Sequence, residues 1–330
     1  MAEPVRTPAL TKRQDMLVVE TIELAKRYGD FQALRSCTLS VREGEVFGLL
    51  GPNGAGKSTF LRMLLGFIRP TGGTAKILGL DCVAQSLAVR RKLSYLPGDA
   101  RLYRSMRGKE CLKFFAGMRS EGDYPRALRT ADRLDLDLSR LVGFMSTGMR
   151  QKLALTIALS MNVPLIMLDE PTANLDPNVR GEMLDIVREA KQTGTTVVFS
   201  SHVMSEVEEA CDRAAILRAG EIVHVQSMPE LASRHRIRLS VAGPPPSIPQ
   251  EFDPISLPAE GPRGLAFETG VELKRILPWL ATLSPDDVRV EPVGLQTVYE
   301  RFHQRKNVAS GTDALAGSPE AGDVAKSEAS

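Results

Sequence analysis

Three apolar runs punctuate the first two thirds of the chain: Val46-Phe47-Gly48-Leu49-Leu50, Leu165-Ile166-Met167-Leu168 and Thr195-Thr196-Val197-Val198-Phe199-Ser200. A run without polar alternation marks a strand covered on both faces, as the central strands of a parallel sheet are. Helical stretches follow each run, Met183-Leu184-Asp185-Ile186-Val187 among them. Strands alternating with helices over residues 17–234 predict an α/β core with a mostly parallel sheet. Between about 84 and 161 the pattern turns helical, over Gly108–Met118, Tyr124–Leu134 and Met149–Met161. That predicts a helical subdomain inserted in the core.

Past residue 234 the pattern changes. Arg236–Val241, Gly264–Glu268 and Val288–Glu291 read as strands, and Val271–Leu283 and Leu295–Gln304 as helices. Residues 235–304 are therefore expected to form a small accessory α/β domain. The prolines from Pro244 to Pro262 read as linker or irregular loop within it. Residues 1–16 and 305–330 have no periodicity. Such segments bury too little apolar surface to offset their ordering entropy, so both are expected to be disordered tails.

Composition narrows the function. Apolar residues at 43% and charged residues at 25% exclude collagen-like, coiled-coil and wholly disordered chains. With 42 Lys and Arg against 40 Asp and Glu, the net charge of +2 is too small to draw the chain to nucleic acid, and no nucleic-acid partner is expected. No run reaches the ~18 apolar residues of a membrane span, and residues 1–20 lack an apolar signal core. A cytoplasmic location is expected. Cys37, Cys82, Cys111 and Cys211 show no C-x-x-C spacing and read as reduced, packed thiols.

The sharpest chemical signal is Gly51-Pro52-Asn53-Gly54-Ala55-Gly56-Lys57-Ser58, followed by Thr59. Glycines let backbone N–H groups wrap a phosphate chain at the start of a helix. Lys57 is placed to reach the β- and γ-phosphates, and Ser58 to ligate Mg2+. A nucleoside triphosphate is the implied ligand, in a P-loop NTPase core. The run ending Asp169-Glu170 sets two carboxylates at a strand's carboxyl end, where α/β proteins bind ligands. Asp169 suits the magnesium and Glu170 suits a general base for the attacking water. A GTP-specific chain would carry an N-K-x-D reader, and none is present.

Against this background, Met145-Ser146-Thr147-Gly148-Met149-Arg150-Gln151 resembles the L-S-G-G-Q signature of the nucleotide-binding subunits of ABC transporters. The resemblance covers roughly residues 17–232. It implies that two subunits clamp two ATP molecules, Ser146 and Gly148 of each facing the P-loop of the other. Tyr28, 29 residues before Lys57, resembles the aromatic that stacks on adenine. Ala173-Asn174-Leu175-Asp176 resembles the D-loop that couples the sites, which gives Asp176 its role. His202 resembles the switch histidine that contacts the γ-phosphate and orients Glu170. Two departures stand out. Gly98-Asp99 replaces the family's Q-loop glutamine, with Asp99 the candidate substitute, and the signature has Thr147 and Met149 in place of its glycine and glutamine.

Leu93–Tyr103, Ser146–Leu153 and the ending Leu295–Phe302 are similar to the branch that exports drugs, lipids or polysaccharides. The resemblance implies an ATP-hydrolysing subunit that needs ATP and Mg2+. It implies dimerisation with a second ATP-binding subunit, a homodimer, beneath an integral membrane permease on the cytoplasmic face of the cell membrane. The competing expectation is a soluble ABC-type ATPase that acts as a regulatory or mechanical module without a transporter.

Overall fold

The computed structural model describes residues 16–259 and 261–309, leaving aside the side chains of 303–309. Residues 1–15 and 310–330, read as tails, lie outside it. The chain opens with a hairpin of β1 (Leu17–Tyr28) and β2 (Phe31–Arg42). Next, β3 (Val46–Leu50) leads into α1 (Lys57–Leu64), and β4 (Gly72–Ile77) and β5 (Leu80–Asp81) return to the hairpin. Then α2 (Ser86–Arg91) and β6 (Leu93–Leu96) precede the helices α3 (Gly108–Gly117), α4 (Tyr124–Arg133) and α5 (Thr147–Leu159). The core resumes with β7 (Leu165–Asp169), α6 (Pro177–Gln192), β8 (Thr196–Ser201), α7 (Met204–Ala210), β9 (Arg213–Arg218), β10 (Glu221–Ser227) and α8 (Met228–Ala232). Last come β11 (His235–Ser240), β12 (Ile255–Ser256), β13 (Gly264–Thr269), α9 (Leu273–Thr282), β14 (Asp287–Pro292) and α10 (Leu295–Ala309).

Ten strands form one sheet in the order β5-β4-β1-β2-β10-β9-β3-β8-β7-β6. The run β9-β3-β8-β7-β6 is parallel, as the apolar runs predict. Successive residues of its strands serve opposite faces. Val46 and Leu50 of β3 join Ile166, Leu168, Val197 and Phe199 in one core, covered by α5, α6 and α7. Phe47 and Leu49 join Leu165, Met167 and Val198 in the other, with Phe60, Leu61 and Leu64 of α1 and the inner side of β1 and β2.

The antiparallel half, β5-β4-β1-β2, departs from the parallel pattern. Bulges obscure it in sequence. The β1–β2 register shifts between Thr21 and Leu24, where Glu23 takes φ +50°, so Val18, Val19, Thr21 and Leu24 are buried without period-two alternation. The helical subdomain forms around Cys111, Leu112, Ala127, Ala131 and Leu153. Its expected span of 84–161 also includes β6, which is an edge strand of the main sheet.

Residues 235–292 build a separate sheet, β12-β13-β11-β14, with α9 packed through Ile276 and Leu280 on Ile237, Leu239 and Phe267. The proline-rich stretch is more than linker, since it inserts Phe252 into this core beside Trp279. α10 departs from its expected place in the accessory domain. Leu295 and Val298 pack in the main core, and the Leu295 N–H is capped by Glu208 of α7. The helix continues to Ala309, beyond the expected boundary at 304.

Glu268 of β13 ties the two bodies together. It is fully buried and paired with Arg236 and with Arg301 of α10. Burial alone would raise its pKa, but the two arginines outweigh that and hold the carboxyl below its usual value. A depressed carboxylate pKa contributes stability above the unfolded value, and this is lost as pH falls through the folded one. Glu268→Ala should therefore lower the urea midpoint read by Trp279 fluorescence, by about 2 kcal/mol of stability at pH 7. The deficit should shrink as pH drops below 4. An unchanged midpoint at pH 7 would contradict the role of this pair.

Candidate nucleotide site

Three parallel strands bring the site together at their carboxyl ends. From β3 the chain turns through 51–56 into α1. Gly51 donates its N–H to the Ser201 carbonyl at 3.2 Å, which anchors the loop to the end of β8. Glycine is required at three positions of this turn, Gly54 through its φ of +79°. A Cβ on Gly51 would stand 2.4 Å from the Leu217 carbonyl oxygen, and Gly56 has φ +109° with the Ala33 oxygen 2.8 Å from any Cβ. The loop borders a cleft of about 290 Å3, lined by Phe31, Ala33, Pro52, Asn53, Gly54, Gly56, Lys57, Ser58, Thr59 and Glu170.

Lys57 is 6% exposed, and its Nζ lies 2.6 Å from Gly51 O, 3.2 Å from Pro52 O and 2.9 Å from Glu170 Oε1. His202 Nδ1 is 2.8 Å from Glu170 Oε2. Lys57, Glu170 and His202, expected together from sequence, thus form a continuous line. Glu170 holds φ +50°, a left-handed conformation that costs a non-glycine residue energy and recurs at functional sites. Ser200 supports it from β8. Its Oγ donates to Asp169 Oδ1 at 2.7 Å and accepts the Glu170 N–H at 3.0 Å. Gln151 of α5 donates to the Pro171 carbonyl at 3.0 Å. Ser200 carries no motif that would have singled it out, and the signature-like stretch that Gln151 closes assigns it no role of its own.

Asp169 is buried, and a Cβ on Gly98 would lie 3.6 Å from its Oδ2. Position 98 thus lies in ordinary contact range of the Asp169 carboxylate. Asp99 does not fill the gap, because its carboxylate is at the surface, paired with Arg101. Burial first, and then the charge of Asp169, push the Tyr95 phenol up to about 12, so it stays neutral beside the site. Among the described residues no cluster of three or more His, Cys, Asp or Glu could hold a metal. Ser58 and Asp169 suit Mg2+ bound by few protein ligands, with substrate phosphates completing its shell.

The remaining expected residues lie elsewhere. Tyr28 ends β1, half exposed, with the Lys26 ammonium 4.8 Å from its ring centre, whereas its cross-strand partner Phe31 lines the cleft. Ser146, Gly148 and Asp176 are not among the lining residues. Ser146 caps α5 by accepting the Met149 N–H at 3.2 Å, which leaves its hydroxyl hydrogen free to donate. Asp176 caps α6 by accepting the Val179 N–H at 3.0 Å. Gly148 sits where a Cβ would meet Asn174 O at 2.8 Å, so the signature helix starts against the 173–176 loop. Tyr299 of α10, to which the sequence assigns no site role, borders a second cavity with Leu50, Gly51, Pro52, Asn53 and His202. All four cysteines are buried free thiols. Burial raises Cys37 and Cys111 to about 11 and Cys82 to about 12, and pushes Cys211 well above its ordinary value.

A family model described as ABC transporter matches residues 34–173. An ABC transporter ATP-binding protein of Nostoc sp. is 39% identical over 236 residues, 67% of this chain and 70% of the relative. The chain belongs to the ABC transporter ATP-binding family. A daunorubicin resistance ATP-binding protein of Streptomyces coeruleorubidus is 32% identical over 297 residues, 86% of this chain and 92% of the relative. A solved ATP-binding subunit of an ABC transporter superposes with a TM-score of 0.59 at 28% identity, covering 65% of this chain and 91% of its own. The protein is thus an ATP-binding subunit that hydrolyses ATP to drive transport through a membrane subunit. Among its described residues, no helix is long and apolar enough to cross a membrane itself.

The glycine geometry gives a direct test. Gly56→Ala imposes a Cβ on a left-handed turn, a strain of about 1–3 kcal/mol. It should weaken binding of a fluorescent ATP analogue about ten-fold or more and lower the thermal unfolding midpoint by a few degrees. Wild-type affinity would contradict the assigned fit of the loop.

Proposed function

We propose that two copies of the chain close on two ATP molecules, hydrolyse them and reopen, driving export through a permease at the cytoplasmic face of the membrane. The observation that carries this reading is the division of the site residues. Lys57, Glu170 and His202 stand in one line at the cleft, while Ser146 and Gly148 lie off it, at the start of α5. A second copy would bring its Ser146 hydroxyl and the N-terminus of its α5 to the γ-phosphate, which the helix dipole favours. Asp176 and the rest of the 173–176 loop then lie at the junction between the two sites. Export is supported by the relative named for daunorubicin resistance. The relatives are transporter subunits, so the alternative of an ATPase without a transporter gains no support.

Within one cleft the roles follow from geometry. Tyr28 and Phe31 at the hairpin tip offer adenine a stacking platform. Backbone N–H groups of the loop bind the phosphate chain. Lys57 is held by Glu170 in this structure, so phosphate oxygens that draw its ammonium away release Glu170 Oε1. Glu170 then accepts a proton from the water that attacks the γ-phosphorus, while the bond to the ADP oxygen breaks. His202, bound to the other carboxylate oxygen, keeps that base oriented. Ser58 and Asp169 would hold Mg2+, which neutralises charge on the phosphates.

Lys57→Ala should abolish ATP turnover. Glu170→Gln should bind ATP with about wild-type affinity while its kcat falls at least about 100-fold, the scale of a lost general base. Phosphate release at near-normal rates by either variant would overturn the assignment.

A further inference from the structure

α7 begins two residues after His202 and presses on β3 where Gly48 has no side chain. A Cβ there would stand 2.9 Å from both Cys211 Sγ and Val207 Cγ1. This close seat buries Glu206, 4% exposed, behind the loops that carry Glu170 and His202. Its Oε2 accepts two hydroxyl hydrogen bonds of 2.8 Å, from Thr172 and from Ser201. Thr172 lies two residues after Glu170, and Ser201 directly precedes His202. Ser201 also accepts the Val203 N–H at 2.9 Å on its Oγ and the Gly51 N–H at 3.2 Å on its carbonyl. Glu206 Oε1 is buried, has no hydrogen-bond partner among the described residues, and faces Arg180 Nη1 at 4.0 Å. Arg180 in turn donates from Nε to the Leu175 carbonyl at 2.9 Å, inside the 173–176 loop.

We propose that Glu206 is a positioning residue for hydrolysis, which sets the spacing of Glu170 and His202 from behind and links that pair to the 173–176 loop through Arg180. This rests on the reading of Glu170 as the base. A carboxylate serves the task where an apolar residue would not. One oxygen gathers two hydroxyls, from the turn after β7 and from the end of β8, and removing it strands both without an acceptor. The second oxygen is not needed for that tie. A buried acceptor left unsatisfied costs stability, and Arg180 stands just beyond hydrogen-bond reach of it, so a small shift of the loop would complete the pair. Closing the 4.0 Å gap would make a charge-assisted bond and transmit movement of the loop to the hydrolytic pair.

The test is steady-state ATPase kinetics with ATP affinity measured in parallel, on the full chain. Wild-type turnover and its loss in Glu170→Gln establish the underlying reading first, so any later failure belongs to Glu206. Glu206→Ala should lose on the order of ten-fold or more in kcat, as orienting partners of functional groups do. Its KM and ATP affinity should stay within about twofold of wild type. Glu206→Gln keeps an oxygen for both hydroxyls but not the charge that Arg180 would meet, and should recover only part of the rate. Thr172→Val, which removes one hydroxyl and leaves Glu206 in place, should lower kcat in the same sense. In a His202→Ala background neither substitution should cost much more, because residues that act as a unit are not additive. The proposal is overturned by wild-type kcat in Glu206→Ala or Thr172→Val, by affinity falling in step with kcat, or by losses that multiply in the double variants. Should Glu206→Ala not fold, Thr172→Val alone and with His202→Ala decides the matter.

Discussion

An ammonium ion that is 6% exposed has to be neutralised where it sits, and Lys57 imposes that condition on everything around it. Stripping such a charge of water costs several kcal/mol unless carbonyls and a carboxylate replace the lost solvation. The loop meets part of the demand by curling so that Gly51 and Pro52 turn their carbonyls inward. The rest comes from Glu170, and this fixes where β7 must end and why its last carboxylate leaves the strand in a left-handed conformation. Ser200, at the end of the neighbouring strand, and His202, just beyond it, then hold Glu170. Three strand ends of the parallel sheet thereby meet around one buried cation.

The same condition explains how substrate changes the molecule. Phosphate oxygens compete with Glu170 for Lys57, so nucleotide binding and release of the base are one event. Hydrolysis needs Glu170 free yet oriented, and the ties from His202 and from the strand behind provide that orientation. Ser146 and Gly148 stand outside this arrangement, on a helix start that abuts the 173–176 loop. In the proposed dimer that loop touches both the signature helix of its own chain and the hydrolytic pair beside it, which gives each site a physical means of sensing the other.

Much of this was legible in the sequence because the chemistry demands particular residues at short range. The P-loop glycines, Lys57 and the Asp169-Glu170 strand end are local patterns, and continuous apolar runs announce β3, β7 and β8. The antiparallel hairpin was not legible, because bulges in β1 destroy the alternation that identifies a strand. Ser200, Thr172 and Glu206 escaped for a different reason. Ser200 and Thr172 find their partners 30 to 34 residues away in the chain, and nothing local distinguishes the three from ordinary polar residues. α10 was recognised as a helix but misplaced, since its apolar stripe does not say which of two cores it will join. Asp99 shows the reverse error, in which proximity to a motif position suggested a role that its surface pairing with Arg101 removes.

The central claim is that one chain holds half of each working site. It is tested most directly by the solution mass of the Glu170→Gln variant, measured by size exclusion with light scattering with and without ATP and Mg2+. The variant keeps Lys57 and the loop but cannot complete hydrolysis, so the closed form should accumulate. A mass that doubles only when ATP and Mg2+ are present is the predicted result. A chain that binds ATP and stays monomeric would contradict the claim that its own signature helix completes the partner's site.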